Sequence, residues 1–275
     1  MAENSIISDS EREKIWAGRG VARNKSVLST WLAELARLIW ALNCAGCNLQ
    51  DTDICGNCIA TIHHENYPIL TAQDDMLAVS RTFYQGAARN IILKFKDHKR
   101  LDLEPFITGE MQKLTKKLVQ ENHSTLATYD KIAIVPAPSS RKNISKRGHW
   151  PTQKLSTSVY LAVKDAFPEA QIRHIALLKN SAKAKKQVKI QGADREANKK
   201  GNVQLAKLKY HQHKKFLTTS HEPTSDATVN SDNVLFILVD DIFTTGATIK
   251  GCKTMLDTLG DTKFAITFAK TESNE

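Results

Sequence analysis

Long apolar runs are missing from this chain. A membrane-spanning helix takes about 20 consecutive apolar residues. The nearest candidate, Trp31 to Leu42, is broken by Glu34 and Arg37. Its Leu32, Leu35, Leu38, Ile39 and Leu42 fall instead at the spacing of an amphipathic helix. No secretory leader is expected either, because Met1 to Ser10 is polar and carries acid. Both absences make a cytoplasmic protein the expectation. Aromatic residues are only 7% of the chain, and they form no evident platform for stacking single-stranded nucleic acid. Cysteine is scarce and odd in number, at 5, which does not suit a disulfide framework.

What the chain does have is an excess of positive charge, +10 from 39 Lys and Arg against 29 Asp and Glu. That balance favours anionic partners such as phosphates, nucleotides or nucleic acid. With 275 residues, 41% of them apolar, it can bury one substantial α/β core with a small appendage. Residues 1–30 are polar and aperiodic and are expected to form a flexible tail. A helix over 31–43 leads into the cysteines, and residues 31–80 are expected to make one small module ahead of a main domain over 81–275.

Within the main domain, residues 86–120 read as helices, with Leu103, Ile107, Met111, Leu114 and Leu118 on one face. From residue 131 strands alternate with helices. The strands expected are Lys131 to Pro136, Ile172 to Leu178, Val234 to Val239 and Phe264 to Ala269. The helices between them carry Leu155, Val159, Ala162 and Ala166 in one case and Ile249, Cys252, Leu256 and Leu259 in the other. This alternation predicts a doubly wound, mostly parallel sheet, whose ligands lie beyond the carboxyl ends of its strands. Two polar segments interrupt it, 179–204 and 207–232. Each is long for a connection and reads as a functional flap or a flexible insertion.

Four cysteines form two C-x-x-C pairs, Cys44 with Cys47 and Cys55 with Cys58. Their four sulfurs can close a tetrahedron around structural Zn²⁺; two redox pairs or a four-thiolate iron–sulfur cluster are the other readings. Gly46 and Gly56 lie inside the pairs, where positive φ would turn N–H groups toward sulfur. His63 and His64 follow closely but are surplus to four thiolates.

The sharpest motif is Leu235-Phe-Ile-Leu-Val239, Asp240-Asp241, Ile242-Phe243, Thr244-Thr245-Gly246-Ala247-Thr248. A buried strand ends in two acids and a small hydroxylated turn opens a helix. N–H groups at that turn suit a 5′-phosphate. Gly246 permits close backbone approach, and Thr244, Thr245 and Thr248 add hydroxyls. Asp240 and Asp241 can accept from vicinal ribose hydroxyls, directly or through Mg²⁺. The motif is neither a Walker loop, which needs a lysine after the glycine, nor a dinucleotide loop, which needs three spaced glycines.

This pattern resembles the signature by which type I phosphoribosyltransferases hold 5-phosphoribosyl-1-pyrophosphate (PRPP). The resemblance gives Asp240 and Asp241 the ribose 2′ and 3′ hydroxyls and Thr244 to Thr248 the 5′-phosphate. Purine-salvage members carry an aspartate at the position of Thr244, so this chain departs from them. The wider order is similar to the ComF family of competence proteins and its GntX-like relatives. It comprises the four-cysteine knot, Phe83-Tyr84-Gln85-Gly86, Arg89, Ile92-Leu-Lys94-Phe95-Lys96, Val135-Pro-Ala-Pro138, Arg141, Lys146-Arg147-Gly148, Gln187, Arg195, Asn198, Lys200 and Gly201. That family usually continues Arg-Gly with Phe-Asn-Gln, whereas His149 and Trp150 stand here.

The resemblance implies a type I phosphoribosyltransferase fold with an N-terminal zinc module, PRPP bound with Mg²⁺, and a link to DNA uptake in natural competence. Ser139, Ser140, Arg141 and Arg147, after the first strand, are the expected pyrophosphate loop. Lys183, Lys185, Lys186, Lys189 and Arg195 are expected on a mobile flap that closes over PRPP; the same charges could track a nucleic-acid backbone. Three functions follow as expectations: phosphoribosyl transfer to an acceptor no motif names, non-catalytic binding of PRPP or a nucleotide, and single-stranded DNA binding.

Overall fold

The computed structural model describes residues 43–64, 67–181, 203–218 and 234–272. Expectations for the tail 1–30, for the helix before the cysteines and for Lys183, Lys185, Lys186, Lys189 and Arg195 lie outside the described residues. In chain order, helix α1 (Gly56–His64) follows the cysteines, and strands β1 (Ile69–Gln73) and β2 (Met76–Phe83) form a hairpin. Helices α2 (Gly86–Asp97), α3 (Glu104–Glu121) and α4 (His123–Leu126) come next, then β3 (Lys131–Pro136), α5 (Arg141–Arg147), α6 (Pro151–Ala166) and β4 (Gln171–His174). Short strands β5 (Leu178–Asn180) and β6 (Val203–Leu205) precede α7 (Lys207–Gln212) and α8 (Lys214–Leu217). The chain then runs through β7 (Val234–Phe243), α9 (Ala247–Leu256) and β8 (Asp261–Lys270).

Six strands make one sheet in the order β1-β2-β8-β7-β3-β4. Only β1 against β2 is antiparallel; every other neighbouring pair is parallel. A parallel sheet must be covered on both faces, and alternate residues of each central strand feed two separate cores. Ile132, Ile134, Leu235, Ile237 and Val239 pack with Ile91, Ile92 and Phe95 of α2, Ile107, Met111 and Leu114 of α3, and Leu155 and Val159 of α6. Ala133, Val135, Phe236 and Leu238 pack on the other face with Ile249, Cys252 and Leu256 of α9 and Phe216 and Leu217 of α8. Cys252 is thus a small core residue, as its helical position predicts.

Several local expectations change. The segment expected as one strand over Ile172 to Leu178 divides: Gln171–His174 joins the main sheet, while Leu178–Asn180 pairs antiparallel with Val203–Leu205 in a separate ladder. Ala166 is exposed at the end of α6 rather than on its buried face. The expected insertion at 207–232 begins with two short helices, and Phe216 and Leu217 anchor them in the core. The boundary expected at residue 80 falls inside β2, which runs parallel to β8 from Leu77 to Phe83. The cysteines and the sheet belong to one compact unit, Asn43–Glu275. No helix among the described residues is long and apolar enough to cross a membrane.

Candidate functional site

The four cysteine sulfurs all lie within 4.8 Å of one another. Cys44 Sγ stands 3.7 Å from Cys58 Sγ, and Cys47 Sγ 3.6 Å from Cys55 Sγ. Both gaps are far beyond a disulfide bond, and both match the roughly 3.8 Å edge of a tetrahedron with Zn–S bonds of about 2.3 Å. The four cysteines are therefore positioned to hold a metal ion, and an all-sulfur set with no open position suits structural zinc.

The expected positive φ at Gly46 and Gly56 is not found; the left-handed residues of this segment are Asn48 and Asp51. Gly46 is needed for space instead, because a Cβ there would lie 3.0 Å from Cys58 Cβ and closer still to its sulfur. The N–H of Cys55 donates to Cys44 Sγ at 3.3 Å. Burial works against the Cys44 thiolate, but backbone N–H groups of Cys55, Cys47 and Gly46 outweigh it and bring this thiol down to about 6. Burial, then the neighbouring sulfurs, pushes the Cys58 thiol well up. A cation would remove that conflict.

Helix α2 seats the cysteine loop. Asn90 Nδ2 donates to the Gly46 carbonyl at 2.8 Å, and Lys94 Nζ to Asn48 Oδ1 at 2.6 Å. From below, Arg81 of β2 donates to the Ile62 carbonyl at the end of α1 at 3.1 Å. The same Arg81 pairs with Glu110 of α3 at 2.7 Å, both nearly inaccessible to solvent. His63 is exposed, as expected of a residue surplus to the four thiolates, and reaches Glu110 at 3.2 Å.

The second constellation lies where the strand order reverses. From β3 the chain passes to β4 on one side and later to β7 on the other, and sheets of this kind take ligands beyond the carboxyl ends of the strands at such a reversal, here β3 and β7. Pro136 pairs with Val239, and the N–H of Ala137 donates to the Val239 carbonyl at 2.8 Å. The connection that carries Ser139 and Ser140 therefore starts beside Asp240.

The acid pair does not follow the strand, as expected, but belongs to it, since β7 continues to Phe243. Neighbouring strand residues point to opposite faces. Asp241 is buried and its Oδ2 meets Lys96 Nζ, from the last turn of α2, at 2.6 Å. Asp240 lies on the α9 side, where burial, then the charge of Asp240, raises the Cys252 thiol. Burial, then the charge of Asp241, pushes the Asp240 carboxyl up to about 7. Its Oδ1 accepts the N–H of Asp241 at 2.8 Å.

Beyond the strand, Thr244 and Thr245 are exposed and Gly246 is the N-cap of α9 at φ 70. No side chain caps this helix, so its first N–H groups are left for another acceptor. Ala247 and Thr248 form the first helical positions rather than part of a loop.

The expected pyrophosphate residues divide similarly. Ser140 is the N-cap of α5, accepting the N–H of Asn143 at 3.1 Å. Arg141 opens that helix, and Arg147 ends it at Gly148, which has φ 75. Arg147 Nε bonds Asp97 Oδ1 at 2.8 Å, at the end of α2. Thus Lys96 and Asp97, adjacent in sequence, reach Asp241 and Arg147 respectively. Sequence reasoning gave neither of them a role, nor one to Gln73, which reaches Gly246. For Asp97 the only signal was charge at the close of an amphipathic helix, for Lys96 also its place in the Ile92-Leu-Lys94-Phe95-Lys96 stretch, and for Gln73 there was none. Of the expected site residues, the structure groups the acid pair, the turn after it and the start of the serine connection. It sets Arg147 a helix away from Ser140.

A scan of the chain against protein-family models returns no match, and a search of curated proteins returns none either.

Proposed function

We propose that this protein binds PRPP with Mg²⁺ beyond the carboxyl ends of β3 and β7, as a phosphoribosyltransferase-like protein of the type I fold. The observation that carries the reading is the junction of the acid pair and an uncapped helix start at the point where the strand order reverses. Anions favour a helix start with free N–H groups and its positive dipole end. Carboxylates one strand-end away match the hydroxyls of a pentose whose phosphate sits there. The acid pair offers only two carboxylates, one already held by Lys96. Asp240 and Asp241 would hold a divalent cation bound together with PRPP, and it would supply charge neutralisation at the leaving pyrophosphate.

The chain's own residues supply the rest. Asp240, on the α9 side, accepts from a ribose hydroxyl. Asp241, oriented by Lys96, holds a second. Arg147, tied to Asp97 through Nε, keeps its terminal nitrogens for pyrophosphate oxygens. Transfer would break the bond between the anomeric carbon and pyrophosphate as an acceptor attacks that carbon. The resemblance to the ComF family supports a place in DNA uptake during competence.

Thermal melting with PRPP and Mg²⁺ tests the reading. A ligand that binds the folded state alone stabilises it by about 2.7 kcal/mol at a hundredfold excess over Kd, so the melting temperature should rise by several degrees. The double variant D240N/D241N should abolish the shift, and ribose 5-phosphate should give a smaller one because Arg147 goes unused. A double variant that folds and responds fully to PRPP would overturn the reading.

A further inference from the structure

The turn of the β1–β2 hairpin lies against α9, and three consecutive residues reach three points along it. Gln73 Nε2 donates to the Gly246 carbonyl at 3.3 Å. Asp74 pairs with Lys250 at 3.0 Å, and Asp75 with Lys253 at 2.8 Å. Positions 246, 250 and 253 are spaced i, i+4, i+7, one face of a helix. Lys253 is itself buried and also bound to Asp257 at 2.7 Å, so the outermost tether has little freedom.

Gly246 adopts φ 70, and a Cβ built there would collide with the Gln73 amide. Glycine and glutamine thus fit as a pair, with the side chain filling the space the missing Cβ leaves. Gln73 Oε1 is buried and has no hydrogen-bond partner among the described residues. A buried acceptor without a donor is costly, so this amide is not placed there for its own stability.

We propose that Gln73 is a positioning residue for the phosphate-binding turn. It acts through Gly246, and Asp74 and Asp75 tether it to α9. The inference rests on the ribose-phosphate reading of that turn and adds the element that sets it. The Gly246 carbonyl already accepts the N–H of Lys250 at 2.8 Å, and the Gln73 donor is the second bond, the one that fixes the Gly246 peptide against the hairpin and with it the entry to α9. The N–H groups of the first turn then need no reordering when an anion arrives, and preorganised donors bind more tightly than mobile ones. The hairpin supplies this from the far edge of the sheet, over a sequence separation of 173 residues.

The test is calorimetric titration of ribose 5-phosphate into the full chain and its variants, with amide exchange at residues 246–248 followed alongside. Gln73→Met keeps the length and the packing but removes the donor. It should weaken ribose 5-phosphate about tenfold, the scale of one lost hydrogen bond, and speed exchange at 246–248 while leaving the metal content unchanged. D74N/D75N should weaken binding about threefold in the native background and add nothing in the Q73M background, because both act through one contact. Should Q73M fail to melt cooperatively, Q73E, with the same shape and no donor when ionised, should show the same loss. Native affinity in Q73M, or in its Q73E substitute, overturns the inference, as does full additivity of the tether variants. A native protein that binds no ribose 5-phosphate overturns the ribose-phosphate reading first and the inference with it, and that outcome is seen before any variant is made.

Discussion

Glu110 stands on the apolar stripe of α3, between Ile107 and Leu114, almost without exposure. An isolated carboxylate there would be strongly disfavoured. Burial does push its pKa up, but hydrogen bonds from His63 and Lys113 and the charge of Arg81 more than offset this and hold it at about 2, against an ordinary 4.5. A carboxyl whose folded pKa is depressed contributes stability above its unfolded pKa and loses it as pH falls through the folded one. Glu110 should therefore contribute fully at pH 7, and that contribution should fade between about pH 4.5 and pH 2. E110Q leaves Arg81 buried without a counter-charge and should cost about 3 kcal/mol at neutral pH. Urea denaturation across pH should show the gap to native protein closing on acidification. A gap independent of pH would mean that Glu110 acts by packing alone. At Gly46 the constraint is steric: Gly46→Ala should lower zinc affinity at least tenfold in a chelator competition, because its Cβ would displace Cys58 Sγ.

At the scale of elements, α2 does the most joining. Its apolar face, with Ile91, Ile92 and Phe95, packs on the sheet. Asn90 and Lys94 hold the cysteine loop, and its last two residues hold Asp241 and Arg147. Removing Lys96 alone would leave Asp241 as an uncompensated buried charge. K96M should destabilise by about 3 kcal/mol, and K96M/D241N by clearly less, since taking out both partners removes the stranded charge. Chemical denaturation of the four species in this cycle measures the coupling; additive losses would show that the pair is not felt in stability. The amphipathic pattern places the apolar face of α2. Which strand end its charged last turn meets depends on β7 and is decided only when the sheet assembles.

Over the whole molecule, the cysteine centre forms its own small cluster beside two large apolar cores. Removing metal should therefore lower the melting temperature while leaving most of the far-ultraviolet dichroism of the sheet and its helices. Titration with a strong chelator, followed by both observables, checks this; loss of all secondary structure on chelation would show that the metal holds the sheet itself. The connection between the two regions is real but local. It runs through Asn90, Lys94, the Arg100 contact to Asn43 and the Arg81 contact to Ile62, with Ala45 and Ile62 packed in the larger core.

Local chemistry wrote several features into the sequence. Val234 to Val239 is apolar at every position, and only a strand covered on both faces uses such a run. The two C-x-x-C pairs bring four sulfurs together because each pair turns within a few residues. Gly246 before a helical stripe marks the start of α9. What the sequence alone left undetermined depends on contacts between distant segments. The β1–β2 hairpin has a short and weakly alternating pattern, and its place beside β8 rests on pairing across nearly 190 positions. The acid pair reads as a loop until β8 extends alongside it and keeps β7 in the sheet as far as Phe243. Asp97 and Gln73 carry no motif, and the stretch that contains Lys96 gives it no partner. These residues meet Asp241, Arg147 and Gly246 only through the packing of helix, strand and hairpin, and long-range packing sets those contacts where local propensity cannot.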